Sequence, residues 1–150
     1  MAKPPFRHIL VLVDGTESAI AAAKYAIQLA RSSGARLTAV AIVDTATLKR
    51  LLSSQIMVAA EMEEYERDLE ESSRGHLAYV SGLAREGSVK ADTVLLKGST
   101  HAAVLAEQKN VGADLIVLGA FRWTLAHRDQ LARERQLLLD EAPCPVLVVR

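Results

Sequence analysis

Few aromatic residues, a single cysteine, no net charge and no apolar run of membrane length: each shortage in this chain removes a class of function. Aromatics make up 4% of 150 residues while half the chain is apolar. The core must therefore be built from Ala, Val, Leu and Ile, a mix that suits helices packed against a parallel sheet. Cys144 is the only cysteine, which excludes an internal disulfide and a cysteine cluster for zinc. Eighteen basic residues balance eighteen acidic ones, so overall charge makes no case for nucleic acid or an anionic membrane as partner. The longest apolar runs fall well short of the roughly 20 residues a membrane helix needs. Residues 1–8 (MAKPPFRH) lack the apolar core of a signal peptide, and a cytoplasmic protein is expected. The length fits one domain, residues 1–150, with a core of useful size.

Familiar catalytic and binding signatures are also missing. Neither G-x-x-x-x-G-K-[ST] nor G-x-G-x-x-G occurs, so both common phosphate loops are absent. No serine has the G-x-S-x-G context of a nucleophile elbow. The four histidines, His8, His76, His101 and His127, show no i,i+4 pairing and no H-E-x-x-H motif, and no metal site is expected. Cys144 lies between Pro143 and Pro145 at a strand entrance, where it reads as a packed, inert thiol. No catalytic residue is assigned, and the chain is not expected to be an enzyme.

What is present is an alternation of strands and helices. His8 to Val13, Leu37 to Val43, Leu115 to Leu118 and Val146 to Val149 are short continuous apolar runs, as expected of strands covered on both faces. Val89 to Leu96 begins with alternation and becomes wholly apolar. Between them, Glu17 to Ser32 carries Ala19, Ala22, Ala23, Ala26, Ile27 and Ala30 on one helical face, with Gly34 as a C-terminal stop. Ser99 to Asn110 carries Ala102, Ala103, Leu105 and Ala106 and ends near Gly112. Gln130 to Glu141 carries Leu131, Leu137, Leu138 and Leu139 before Pro143 blocks continuation. The longest connection, Asp44 to Ser88, reads as a poorly defined stretch to about Ser54 and then one long helix. Leu69, Leu77, Val80 and Ala84 keep helical spacing there through Gly75 and Gly82, each of which costs about 1 kcal/mol relative to alanine. The acidic run Glu61 to Glu71, interleaved as Glu63–Arg67 and Glu70–Arg74, reads as a solvated helix face.

This order implies a five-stranded, parallel, doubly wound sheet with helices on both faces. Ligands in such sheets sit at the carboxyl ends of the strands, where strand order reverses. In the first loop, Asp14 either accepts hydrogen bonds from a ligand or, with Thr16, organises the strand-to-helix turn; the second reading is slightly favoured. In the loop Lys97-Gly98-Ser99-Thr100-His101, capping of the next helix by Ser99 or Thr100 outweighs anion binding. The loop after Gly119 lacks the glycines and serine that would let backbone amides cradle an anion at a helix start. It offers Arg122, Trp123, His127, Arg128, Ala132 and Arg133 instead. Trp123 reads equally as a partner-binding anchor and as a side chain filling the groove.

Three separated segments, ILVLVDGTESA at Ile9–Ala19, ADLIVLGA at Ala113–Ala120 and APCPVLVV at Ala142–Val149, make the chain resemble the universal stress protein family along nearly its whole length. Gly98 fits as well, and Leu48 to Gly87 matches least. The resemblance implies a Rossmann-like fold of the adenine nucleotide alpha hydrolase type. It also implies a homodimer in which Val146, Leu147, Val148 and Val149 pair antiparallel with the mate's strand, covering an edge that would otherwise be a liability. Some members bind ATP, and a few hydrolyse it slowly or act with partners in signalling, through the pattern G-x2-G-x9-G-[ST].

Laid on this chain without gaps from Gly119, that pattern puts Arg122 at the second glycine, Ala132 at the third and Arg133 at the hydroxyl residue. Arginine and alanine adopt poorly the positive φ that glycine supplies. Asp14, followed by Gly15 and Thr16, matches the acidic residue at the adenosine end of ATP binders, and Val43 lies where backbone contacts to adenine occur. The resemblance thus points to the branch that does not bind ATP, acting in stress adaptation through contacts with unknown protein partners and without a cofactor. The alternative is a nucleotide-binding switch or weak ATPase that holds ATP through arginines. Arg122, Arg128, Arg133 and Arg135 form a local basic cluster able to make bidentate phosphate contacts, and Asp129, Glu134, Asp140 and Glu141 are near enough to neutralise it.

Overall fold

Runs of Val, Ile, Leu and Ala with no polar face must be covered on both sides. In the computed structural model they lie side by side in one parallel sheet. The structure describes residues 4–55, 57–120 and 128–150, with residues 128–132 described by their backbone alone. The strands are β1 (His8–Leu12), β2 (Arg36–Val43), β3 (Ala91–Lys97), β4 (Leu115–Gly119) and β5 (Val146–Val149). Their order is β3-β2-β1-β4-β5, with every neighbouring pair parallel. Strand order therefore reverses between β1 and β4, which pair through Ile9↔Leu115 to Val11↔Val117.

Helices α1 (Glu17–Ser33) and α3 (Ala59–Glu86) cover one face of the sheet, and α4 (Thr100–Val111) and α5 (Arg128–Glu141) cover the other. Alternate strand residues supply the two cores. Ile9, Val11, Val13 and Val117 pack with Ala22, Ala26, Leu77 and Val80, while Leu10, Leu12, Ile116 and Leu118 pack with Val104 and Leu138. The buried set of α1 is the expected six residues, Ala19, Ala22, Ala23, Ala26, Ile27 and Ala30. Small side chains let that helix lie close on the sheet. Gly34 and Gly112 end α1 and α4 in the left-handed region, at φ 70° and 72°, where a Cβ would be strained.

Three expectations are corrected. The stretch before Ser54 is a helix, α2 (Thr45–Ser53), capped by Asp44, whose carboxylate accepts from Thr47 N–H at 3.0 Å. It buries only Leu48, too little periodicity to be read from sequence. In α4 the buried residues are Val104, Glu107 and Gln108, while Ala102 and Ala106 are exposed. Gln108 is accommodated because its Nε2 donates to Ala113 O at 2.7 Å. In α5, Leu138 is buried but Leu139 is exposed. The long helix after α2 is as expected, and of its two i,i+4 pairs Glu70–Arg74 closes to 3.8 Å.

At the amino end of the sheet, His8 is buried and its Nε2 lies 2.7 Å from Thr38 Oγ1. Asp114 accepts the backbone N–H groups of Arg7 and His8. Burial opposes ionisation of Asp114, but those N–H donors outweigh it and hold its carboxyl below the usual range. Burial, with Arg36 adding, pushes the His8 imidazole below its ordinary value of 6.5. Near pH 6 the unfolded chain then binds more protons at this site than the folded one. The His8 contribution to stability is thus complete above 6.5 and is lost as pH falls through that value towards the folded pKa. An NMR titration of the His8 ring should give a midpoint below 6.5. A midpoint at or above it would contradict burial as the controlling influence on this ring.

Candidate functional site

Where strand order reverses, the carboxyl ends of β1 and β4 lie side by side, at the place where doubly wound sheets bind ligands. The β1 loop is tightly organised. Asp14 Oδ1 accepts from Thr16 N–H at 3.0 Å and from Thr16 Oγ1–H at 2.6 Å. Thr16 in turn caps α1, its Oγ1 accepting from Ala19 N–H at 3.2 Å. Asp14 and Thr16 therefore do the turn-organising work, although Asp14 stays exposed and its Oδ2 is outside the network. Gly15 has φ 80°, and a Cβ there would overlap the His76 ring of α3. Glycine is thus required twice over: for its backbone angle and for the room His76 takes.

Beside this loop a cavity of about 270 Å³ opens between α1 and α3, lined by Val13, Gly15, Ile20, His76, Tyr79 and Val80. His76 and Tyr79 were not among the expected site residues. Both lie on the helix that matches the family least, and nothing local in the sequence points to them.

Gly119 ends β4 with its Cα against the start of α1. A Cβ built there would lie 2.5 Å from Ser18 C and 2.7 Å from Ala19 N, which no side chain tolerates. The single surviving glycine of the phosphate pattern therefore has a packing reason for its identity. Val43, at the end of β2, is buried, and its carbonyl accepts Gly98 N–H at 3.2 Å.

Arg122, Trp123 and His127 lie outside the described residues. Beyond that loop, helix α5 begins at Arg128, which makes Ala132 its fifth residue and Arg133 its sixth. Only the first four N–H groups of a helix lack an intrahelical partner. Arg133 is thus inside the helix and not at its start, a correction to the sequence expectation. Its side chain is exposed.

Glu134 corrects two further expectations. Its Oε2 accepts the backbone N–H of His101 at 2.9 Å and lies 2.6 Å from His101 Nδ1. A carboxylate only accepts, so Nδ1 carries the hydrogen. Ser99 holds the N-cap position of α4 but makes no side-chain capping bond; a carboxylate from α5 does that work instead. The anion at this helix start is part of the chain. Glu134 is accordingly turned to α4, with no ion pair to an arginine among the described residues, and Asp140 accepts from Gln136 Nε2 at 2.7 Å.

At the entrance to β5, Cys144 is half-buried against the second core. Burial, with the negative charge of Asp114 adding, pushes its thiol up, which suppresses the nucleophilic thiolate. Among the described residues, no group of three or more His, Cys, Asp or Glu is arranged to hold a metal, and no helix is long and apolar enough to cross a membrane.

An open, all-parallel, doubly wound sheet whose strand order reverses between β1 and β4 defines a Rossmann-like α/β protein of the small, single-sheet type. The sequence model described as the universal stress protein family matches residues 5–150, and the chain belongs to that family. It is 32% identical over 145 residues to a universal stress protein of Thermus aquaticus, covering 97% of this chain and 99% of that one. The universal stress protein of Lactobacillus plantarum superposes with a TM-score of 0.67 at 27% identity over the full length of both chains. A universal stress protein solved in complex with cAMP superposes with a TM-score of 0.68 at 20% identity, covering 97% of each chain.

Replacing Glu134 by alanine should cost about 1–2 kcal/mol, the range for losing a helix cap. Urea unfolding would read the loss, and the His101 amide should exchange faster. Glu134→Gln keeps an acceptor and should cost less. Equal stability of Glu134→Ala and the parent would show that the cap is not formed.

Proposed function

We propose that this chain is a homodimeric stress-adaptation protein that works through contacts with other proteins and does not hold ATP through a glycine loop. The observation that carries this reading is the position of Ala132 and Arg133. Where ATP-binding relatives need a glycine and a hydroxyl residue beside free helix-start amides, this chain has the second turn of α5. An N–H in that turn is committed to the helix ladder. The one retained glycine, Gly119, has its identity accounted for by contact with α1, so its retention does not argue for phosphate.

The homodimer reading is supported by the sheet's edge. β5 pairs only with β4 among the described strands, and its four apolar residues are half-buried within one chain. Pro145 O and Val149 O accept from β4 and from Ala120 just beyond it, so by strand alternation Val146 and Val148 turn their N–H and C=O groups to the open edge. Such an edge invites another strand, and a mate's β5 is the natural one.

A second reading keeps a nucleotide in the groove. Two observations favour it: Glu134 leaves Arg133 for α4, and a relative of the same fold is solved with cAMP. In this reading Asp14 Oδ2 and the Val43 backbone meet the nucleoside, while Gly15, Thr16 and Gly119 shape the floor. Arg122 and Arg133 meet the phosphates.

Nucleotide extraction and calorimetric titration of ATP with magnesium separate the two. The first reading expects no co-purified nucleotide and no micromolar binding. Stoichiometric ATP, or micromolar affinity lowered by Arg133→Ala, would establish the second. Sedimentation at micromolar protein should give a two-chain mass, and Val148→Pro, which removes an outward N–H while sparing the β4 bonds, should weaken the dimer at least tenfold. A dimer unchanged by that substitution would sink the strand-pairing claim.

A further inference from the structure

The outer face of α3 has features that the fold does not use. Its 28 residues span about 42 Å at roughly 1.5 Å per residue, longer than any strand beneath it. His76 sits at the level of the β1 loop, and Glu66 and Glu70 reach Lys97, the last residue of β3. The turns before Glu66 therefore project past the carboxyl edge of the sheet.

Tyr65, Ser72 and Tyr79 recur every seven residues along this helix, after Val58 at its extended N-cap and before Glu86 at its end, and all five are exposed. Tyr65 is 46% exposed and Tyr79 54%, on a helix that buries Met62, Leu77, Val80 and Ala84. Residues seven apart share one side of a helix, so these form a seam along which a second helix can lie.

Three residues on, the same repeat gives Glu61, Asp68, Gly75 and Gly82. Glu61 and Asp68 are exposed, and among the described residues neither is in an ion pair. Lys97 neutralises the other flank, at Glu66 and Glu70. Gly75 and Gly82 each disfavour the helix by about 1 kcal/mol relative to alanine, yet a Cβ at either would meet nothing within 4 Å. Nothing inside the chain requires them to be glycine. A helix lying along the seam would, because small residues let two backbones approach closely. At the seam, Tyr79 lines, together with Ile20, the apolar cavity of about 270 Å³. It is large enough for one bulky side chain and sits where a buried anchor residue would make an interface tight.

We propose that the outer face of α3 docks an amphipathic helix of a partner protein, basic where it faces Glu61 and Asp68, with one large apolar side chain seated between Tyr79 and Ile20. Charge complementarity selects the occupant. Glu61 and Asp68 lie towards the projecting end of the seam, with the exposed Glu86 at the other end of the helix, so the basic residues of the partner that meet Glu61 and Asp68 lie towards one terminus of its helix. This inference rests on the reading of the chain as a protein-interaction module and gives that reading a surface.

The test uses the full-length protein and a synthetic 22-residue helical peptide with leucines at heptad spacing, one tryptophan, and lysines in one half. A control peptide carries glutamates in place of the lysines. The lysine peptide should shift NMR signals of Tyr65, Ser72, Gly75 and Tyr79 and bind at least tenfold more tightly than the glutamate peptide. Gly75→Leu, which favours the free helix, should keep the fold by circular dichroism and weaken peptide binding at least tenfold. Equal binding of both peptides, shifts confined to the β5 edge, or unchanged affinity of Gly75→Leu would each overturn the proposal. Self-association through this face, seen as masses beyond two chains that Gly75→Leu abolishes, would overturn it in favour of a second copy as occupant. Sedimentation and ATP titration of the same sample report separately on dimer and nucleotide, so the peptide can fail while the broader reading stands.

Discussion

Contact between the end of β4 and the first turn of α1 is the constraint on which the carboxyl end of the sheet depends. Gly119 has no room for a Cβ because the Ser18 and Ala19 backbone lies against it. That approach is possible because α1 rests on the sheet through alanines, which keep its axis close. It places the capped start of α1, organised by Asp14 and Thr16, directly beside the strand that leads into the phosphate-pattern loop. The layout of the switch point is thus set by close packing before any ligand is considered.

The two sides of the switch point are built differently. On the β1 and β2 side, where the family resemblance puts the adenosine end, Asp14 is exposed, Gly15 has positive φ and Val43 is buried. On the α5 side, the helix already runs through Ala132 and Arg133, two of the residues that the resemblance aligns with the phosphate pattern. The carboxylate of Glu134 occupies the neighbouring helix start at α4. One helix start is therefore closed by the chain's own anion and the other lacks its glycines. A fold shared with nucleotide-binding relatives does not carry their chemistry with it.

Most of the architecture was legible because its signals are local. Strands covered on both faces leave continuous apolar runs, and the alanine face of α1 has helical period, so both were read with nearly the observed bounds. α2 was not legible: nine residues with one buried side chain, Leu48, leave no period to detect. In α4 polarity misled, because Gln108 is buried by virtue of a bond to Ala113 O that composition cannot reveal. At the site, the residues quoted from the family pattern could be placed, but the contacts that define their roles join distant segments. His76 against Gly15 and Glu134 against His101 arise only once helices pack, and neither residue type is informative alone. Gly75 and Gly82 were visible as costs to the helix, while their open surroundings became visible only in the structure.

In the reading proposed for this chain, nucleotide binding loses its support at the phosphate end of the site and not at the adenosine end. Rebuilding the pattern with Arg122→Gly, Ala132→Gly and Arg133→Ser in one protein tests it most directly, with ATP affinity measured by calorimetry in the presence of magnesium. The rebuilt protein is predicted to bind ATP at least tenfold more tightly than the parent. A parent that binds ATP as tightly as the rebuilt protein would contradict the claim.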